Sequence, residues 1–124
     1  MSVSFMFIAC IFIVPLIMII CGFLWKKGGP KKINSIYGFR TYRSKADRDS
    51  WDFAHLHNGR YMLKAGTILL CIGVITAVLG VLFSFSVIGC FLASLLSMFG
   101  QMIVLTIGIV RTERALEERQ NTNK

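Results

Sequence analysis

The sequence predicts an all-α integral membrane protein, with three transmembrane helices and a short cytoplasmic amphipathic helix between the first and second. Two uncharged runs, and one polar basic segment between them, carry that prediction. Phe5 to Leu24 is 20 residues without a charge, and Ala65 to Val110 is 46. About 20 apolar residues at a rise of about 1.5 Å cross a hydrocarbon core about 30 Å thick. The first run is therefore one span. The second would measure about 69 Å as a single helix, more than twice the core, so it must fold back. The break falls at Ser84-Phe85-Ser86, extending as far as Gly89. Barrel strands are about 10 residues long and alternate polar with apolar, which neither run does. The 124 residues are 55% hydrophobic and their mean hydropathy is +0.65, more than a soluble domain of this size needs for its core.

The whole chain, 1–124, reads as a single membrane domain. Its first helix covers about 3–25. The start, Met1-Ser2-Val3-Ser4, lacks the basic n-region of a signal peptide, and the apolar run exceeds a usual h-region. Lys26, Lys27, Lys31 and Lys32 follow it instead. That order favours an uncleaved anchor with its N-terminus outside. Pro15, in mid-helix, removes one backbone hydrogen bond and kinks the span. The second and third helices cover about 61–83 and 87–110. Gly66, Gly73, Ala77 and Gly80 on one, and Gly89, Ala93, Ser97 and Gly100 on the other, fall at spacings of four and seven. Such faces let backbones approach in lipid, where packing drives association. They read as the mutual surfaces of a tight hairpin, with a homo-oligomeric contact as the competing use. Gln101 is the one strongly polar side chain within a spanning run, and it is expected to hydrogen-bond another helix. Cys10, Cys21, Cys71 and Cys90 all lie in the spans without metal-ligand spacing, and read as packing residues.

Charge sets the expected topology. Residues 26–64 hold ten Lys/Arg against three Asp, and residues 111–124 hold four against three Glu. The positive-inside rule places the 26–60 loop and the 111–124 tail in the cytoplasm, giving N-terminus out and C-terminus in. The net charge of +8 is accounted for by topogenic charge and attraction to anionic headgroups. Membrane lipids are the partners it implies, and no nucleic acid. No Asp, Glu, Lys, Arg or His lies deep in a span, which counts against a proton-coupled transporter.

In the loop, Gly28-Gly29-Pro30 is a breaker. Ser44 is a good N-cap, and Asp47 three residues later completes a capping-box pattern with Asp in place of Glu. A helix from Lys45 to about His57 follows, stopped at Asn58-Gly59. Trp51, Ala54, His55 and Asn58 share one of its faces. It lies in the interface or folds under the bundle as a cap. Asp52 and His55 are spaced to share an ion, but zinc sites usually need three or four ligands, so neither metal nor cofactor is expected. The cysteines sit in the membrane and the histidines in the loop, so no Cys-His pair forms, and no Ser-His-Asp arrangement or phosphate-binding glycine loop is evident. Nothing supports an enzyme.

Asn34, the box Tyr37-Gly38-Phe39-Arg40-Thr41, then Ser44, Trp51, Ala54-His55 and Gly59 resemble the signature of the SdpI family of bacterial integral membrane proteins. The resemblance covers roughly residues 20–110. It implies a multi-pass protein of the bacterial plasma membrane. The family's namesake protects a Gram-positive producer from its own membrane-active peptide toxin and also holds a transcriptional repressor at the membrane. That namesake is longer, with additional membrane helices, and this chain carries Pro30-Lys31-Lys32-Ile33 before the Asn. The resemblance implies toxin immunity, with a peptide toxin and a cytoplasmic repressor as partners. The alternative is a membrane-anchored signalling scaffold whose basic loop recruits a regulator. Arg40 is the leading loop residue, because a guanidinium pairs bidentately with a carboxylate or lipid phosphate. It could equally tie the loop to Asp47 or Asp52. Tyr37, Gly38, Thr41, Ser44 and Trp51 read as loop architecture.

Overall fold

The computed structural model describes residues 3–26, 28–33 and 38–122. Asn34 and Tyr37 lie outside the described residues. Three helices form: α1 (Val3–Trp25), α2 (Arg48–Leu82) and α3 (Val87–Thr122). Each is long and apolar enough to cross a membrane, and the protein is an all-α, three-span membrane protein.

The lengths of α2 and α3, 35 and 36 residues, correspond to about 52 and 54 Å. Both overshoot a core of about 30 Å. The turn joining them is tight. Phe83 N donates to Leu79 O at 2.9 Å and Phe85 N to Gly80 O at 3.0 Å. Ser84 takes φ +48°, and the Ser86 hydroxyl caps α3 by accepting from Gly89 N at 3.1 Å. Such a turn makes α2 and α3 antiparallel. Their polar ends, residues 48–60 and 111–122, therefore meet at the opposite end of the bundle, beside the end of α1.

The expected separate amphipathic helix is instead the first part of α2. Asn58-Gly59 does not stop it. One interior glycine costs a helix only about 1 kcal/mol, and here it has a packing use: a Cβ on Gly59 would come within 3.0 Å of Trp25 Cβ. Asn58 is buried and its amide donates to Met62 Sδ at 3.3 Å. The N-cap is Asp47 rather than Ser44, with Asp47 Oδ1 accepting from Ser50 N at 2.7 Å. The Ser44 hydroxyl is engaged inside the loop.

The small residues also differ from expectation. Gly59, Gly66 and Gly73 recur every seven residues along α2, but they face α1, not α3. A Cβ on Gly73 would lie 2.7 Å from Ile11 Cγ2, and one on Gly66 3.0 Å from Met18 Cβ. From the other side, a Cβ on Gly22 would lie 2.7 Å from the backbone of Gly59 and Leu63. The close pair is therefore α1 and α2, in antiparallel contact. On α3, nothing lies within 4 Å of a Cβ placed on Gly100.

Pro15 and Gln101 prove to be linked. Pro15 has no N–H, so the carbonyl of Ile11, four residues back, loses its helical donor. Gln101 Nε2 donates to Ile11 O at 3.0 Å and to Ser97 Oγ at 3.1 Å. The amide of α3 thus replaces the bond that proline removed from α1.

Candidate functional site

Several of the described signature residues converge on one side chain. His55 sits on α2 within the polar end and is fully buried. Trp51 lies one turn earlier on the same face, with ring centroids 4.4 Å apart. Trp25, the last residue of α1, meets His55 edge-on at 5.0 Å. The loop closes over the imidazole from both of its ends. A Cβ on Gly29 would lie 2.4 Å from His55 Nδ1, and one on Gly38 2.6 Å from Nε2. Gly38 also holds φ +104°, which side chains rarely adopt. Glycine is thus required there by conformation and by space.

Hydrogen bonds fix the imidazole's protonation. Phe39 N donates to Nε2 at 2.9 Å. Nδ1 lies 2.7 Å from the Trp51 carbonyl, which can only accept. His55 is therefore the neutral tautomer protonated on Nδ1. Burial pushes its pKa down, only partly opposed by the Trp51 carbonyl and Asp52. With both nitrogens engaged and Asp52 paired to Arg48 at 3.2 Å, the Asp52–His55 pair is not arranged to share an ion.

A second layer holds the loop. Trp51 Nε1 donates to Pro30 O at 2.9 Å, and Arg48 Nη1 donates to Lys31 O. The Ser44 hydroxyl donates toward Phe39 O at 2.7 Å and accepts from Thr41 N at 2.9 Å. Thr41 Oγ1 accepts from Ser44 N at 3.2 Å. Thr41 and Ser44 therefore close the turn that carries Phe39 N to the imidazole. Phe39 itself packs with Ala54 and with Leu116 of α3.

The tail of α3 completes the knot. Glu113, Leu116, Glu117 and Gln120 fall on one helical face. Arg43 Nε is 3.6 Å from Glu113 and its Nη2 is 3.7 Å from Glu117. Gln120 Nε2 donates to Arg43 O and to Ser50 Oγ, both at 3.2 Å. Thr112 Oγ1 donates to Gly108 O at 2.9 Å and so accepts from His57 Nδ1 at 3.1 Å.

Among the residues singled out from sequence, Gly38, Thr41, Ser44, Trp51, His55 and Gly59 come together here. Arg40 is exposed at the edge of the knot. Gln101 belongs to the spans, far from it. Sequence reasoning missed Trp25, Gly29, the Pro30 carbonyl and the tail's inward face. Only the last left a signal, the i, i+3, i+4, i+7 spacing of Glu113, Leu116, Glu117 and Gln120.

The described geometry defines a class: a small multi-pass membrane protein whose polar end is locked by one loop around a buried histidine. A model of the SdpI/YfhL protein family matches residues 31–112, which takes in His55 with the Gly38–Ser44 part of its loop, all of α2 and α3 as far as Thr112. The chain belongs to that family. It is similar to "Uncharacterized protein YfhL" of Bacillus subtilis (strain 168), 39% identical over 59 residues, which are 48% of this chain and 54% of that one. The aligned stretch thus spans about half the length of that relative. No solved structure matches.

Proposed function

We propose that the protein protects a bacterial cell from a membrane-active peptide toxin by binding the peptide within the bilayer. One observation carries this reading. At the turn end, a cavity of about 390 Å³ opens between α1 and α3, walled by Met6, Phe7, Cys10, Phe91, Ser94 and Met98. Its surface is almost wholly apolar, and methionine side chains adapt to varied partners. With the N-terminus outside and the tail cytoplasmic, as the positive-inside rule argues, this cavity faces the outer leaflet, where a peptide from outside first inserts. The knot acts at the cytoplasmic end as a clamp that keeps α1 and α3 at a fixed spacing. On this reading the protein is a binding protein and not an enzyme, and Arg40 lies exposed at the knot's edge.

A scaffold reading rests on a different observation. Tyr42, beside Arg40, is 91% exposed on a loop that the knot otherwise holds rigidly, as a recognition element for a cytoplasmic regulator would be.

The test is survival of a sensitive Gram-positive host exposed to membrane-active peptide toxins. The native chain is expected to protect. Met98→Trp, which fills the cavity, is expected to abolish protection at equal membrane abundance, and Tyr42→Ala to leave it intact. Failure of the native chain to protect against any toxin tested would defeat the immunity reading. Protection lost with Tyr42→Ala but kept with Met98→Trp would favour the scaffold.

A further inference from the structure

A groove runs up the α2–α3 face from the polar end into the membrane. Its mouth is a cavity of about 380 Å³ walled by Phe53, His57, Arg60, Tyr61, Lys64 and Arg111. Arg60 and Lys64 are one turn apart on α2, and Arg111 faces them from α3. The mouth continues into a second cavity of about 330 Å³, which shares Tyr61, Lys64 and Arg111 and adds the apolar wall of Ile68, Leu69, Ile72 and Val104. Chemistry thus changes along one channel from cationic to aliphatic.

Among the described residues, none of the charges at the mouth is paired with a carboxylate. The ion pairs among the described residues involve Arg43 and Arg48. Arg111 lies over the Tyr61 ring at 5.3 Å, and the Tyr61 hydroxyl donates to Val104 O at 2.7 Å. That bond fixes the ring as the floor between mouth and groove. Topogenic charge requires only that basic residues lie on the correct side. It does not require three of them, from two helices, to converge on a pocket that opens into an aliphatic slot.

We propose that this groove is a discrete seat for one anionic phospholipid, its phosphate held by Arg60, Lys64 and Arg111 and an acyl chain lying against Ile68, Leu69 and Ile72. Guanidinium groups suit a phosphate because they donate in parallel pairs. From Lys64 to Ile72 the helix rises about 12 Å, close to the depth of about 15 Å of one leaflet. Headgroup and chain are therefore matched in chemistry and in length. The site does not depend on the toxin-immunity reading.

His57 supplies an internal reporter. It is stacked on Phe53, with centroids 5.7 Å apart, at the rim of the mouth. Burial lowers its pKa, and Arg111 and Arg60 lower it further. A phosphate between those guanidinium groups would offset their field, so lipid binding raises the His57 pKa.

The experiment uses the full chain purified in detergent and supplied with phosphatidylglycerol or with phosphatidylcholine of the same chains. Native mass spectrometry counts retained lipid, and NMR follows His57. The expected result is one phosphatidylglycerol retained in preference, with a raised His57 pKa. Retention should fall about tenfold or more in an Arg60→Gln/Arg111→Gln variant, as for losing one or two charge-assisted contacts. It should be unchanged in Lys31→Gln/Lys45→Gln, which removes equal charge elsewhere. Leu69→Trp, which blocks the slot and keeps every charge, should also lower it. Glycerol phosphate, which lacks chains, should not compete; full competition would mean a free-phosphate site and overturn the lipid assignment. Equal loss in both double variants would mean bulk attraction, and equal retention of the two lipids would remove the headgroup claim. Unchanged helical circular dichroism in each variant keeps misfolding from counting as support.

Discussion

The two ends of this molecule are held together by different forces. At the polar end Trp51, Ala54, His55, Thr112 and Leu116 are all 0% exposed. At the turn end Val81, Leu82 and Ile88 are each more than 70% exposed. Water surrounds the first, and the hydrophobic effect drives its apolar side chains together. Lipid surrounds the second, and a leucine gains little by leaving lipid for protein. The polar end is therefore closely packed in this membrane protein, and the spans come closest where glycine or a hydrogen bond joins them.

The largest expected effect comes from the centre of the knot. His55→Leu leaves the Phe39 N–H without its acceptor and removes the side-chain donor from the Trp51 carbonyl, which keeps its helical backbone donor, and should cost about 3 kcal/mol, read as a shifted midpoint of denaturant unfolding in detergent micelles. Acid should act on the same group. The folded-state pKa of His55 lies below its ordinary value of 6.5, so the folded protein binds fewer protons than the unfolded one in that window. Its contribution is complete above 6.5 and declines as the pH falls from 6.5 through the depressed folded value. Unfolding midpoints at neutral and acid pH check the sign, and His55→Leu should flatten much of the dependence.

The next effect probes the spans. Gly22→Ala pushes a methyl group into the α2 backbone and should destabilise by about 1–3 kcal/mol, the usual range for overpacking. Gly100→Ala, which meets open space, should be neutral or slightly stabilising. Equal losses in the same assay would break the claim that α1 and α2 form the close pair. Smaller again is Gln101→Leu, expected to cost about 1 kcal/mol. In a Pro15→Ala background the Ile11 carbonyl regains its own donor, so the cost should shrink. A double-mutant cycle measures that coupling, and additivity would refute the link. The smallest is Glu117→Gln, which weakens a half-exposed ion pair with Arg43 and should change stability by less than about 0.5 kcal/mol.

The spans were legible because run length and charge depend on no tertiary fact. Pro15 and Gln101 were each conspicuous, but nothing local says that a carbonyl freed on α1 is met by an amide from α3. Asn58-Gly59 was misread because glycine ends helices and also permits close contact, and only the position of Trp25 decides between these. Gly38, Thr41, Ser44, Trp51 and His55 are recognisable as part of a signature from sequence alone. Their common target, the His55 imidazole, became apparent only when Gly29, Gly38 and Phe39 were seen to surround it. The inward face of the tail was readable as a spacing, but its partner Arg43 lies some 70 residues earlier in the chain.

Because α2 runs unbroken from the knot to the turn, and α3 from the turn back to the knot, the two form one hairpin, gripped at the knot and joined at the turn. From the shared grip near residue 60 to the turn, α2 extends about 33 Å. Over that length a tilt of about 5° carries the far tip by about 3 Å. A wedge entering between α1 and this hairpin at the turn end thus works at the long arm of a lever whose fulcrum is the loop around His55. The stiffness of that fulcrum sets how far the turn end can swing from α1, and a small rotation there is returned, enlarged but weaker, among the exposed residues at the other end.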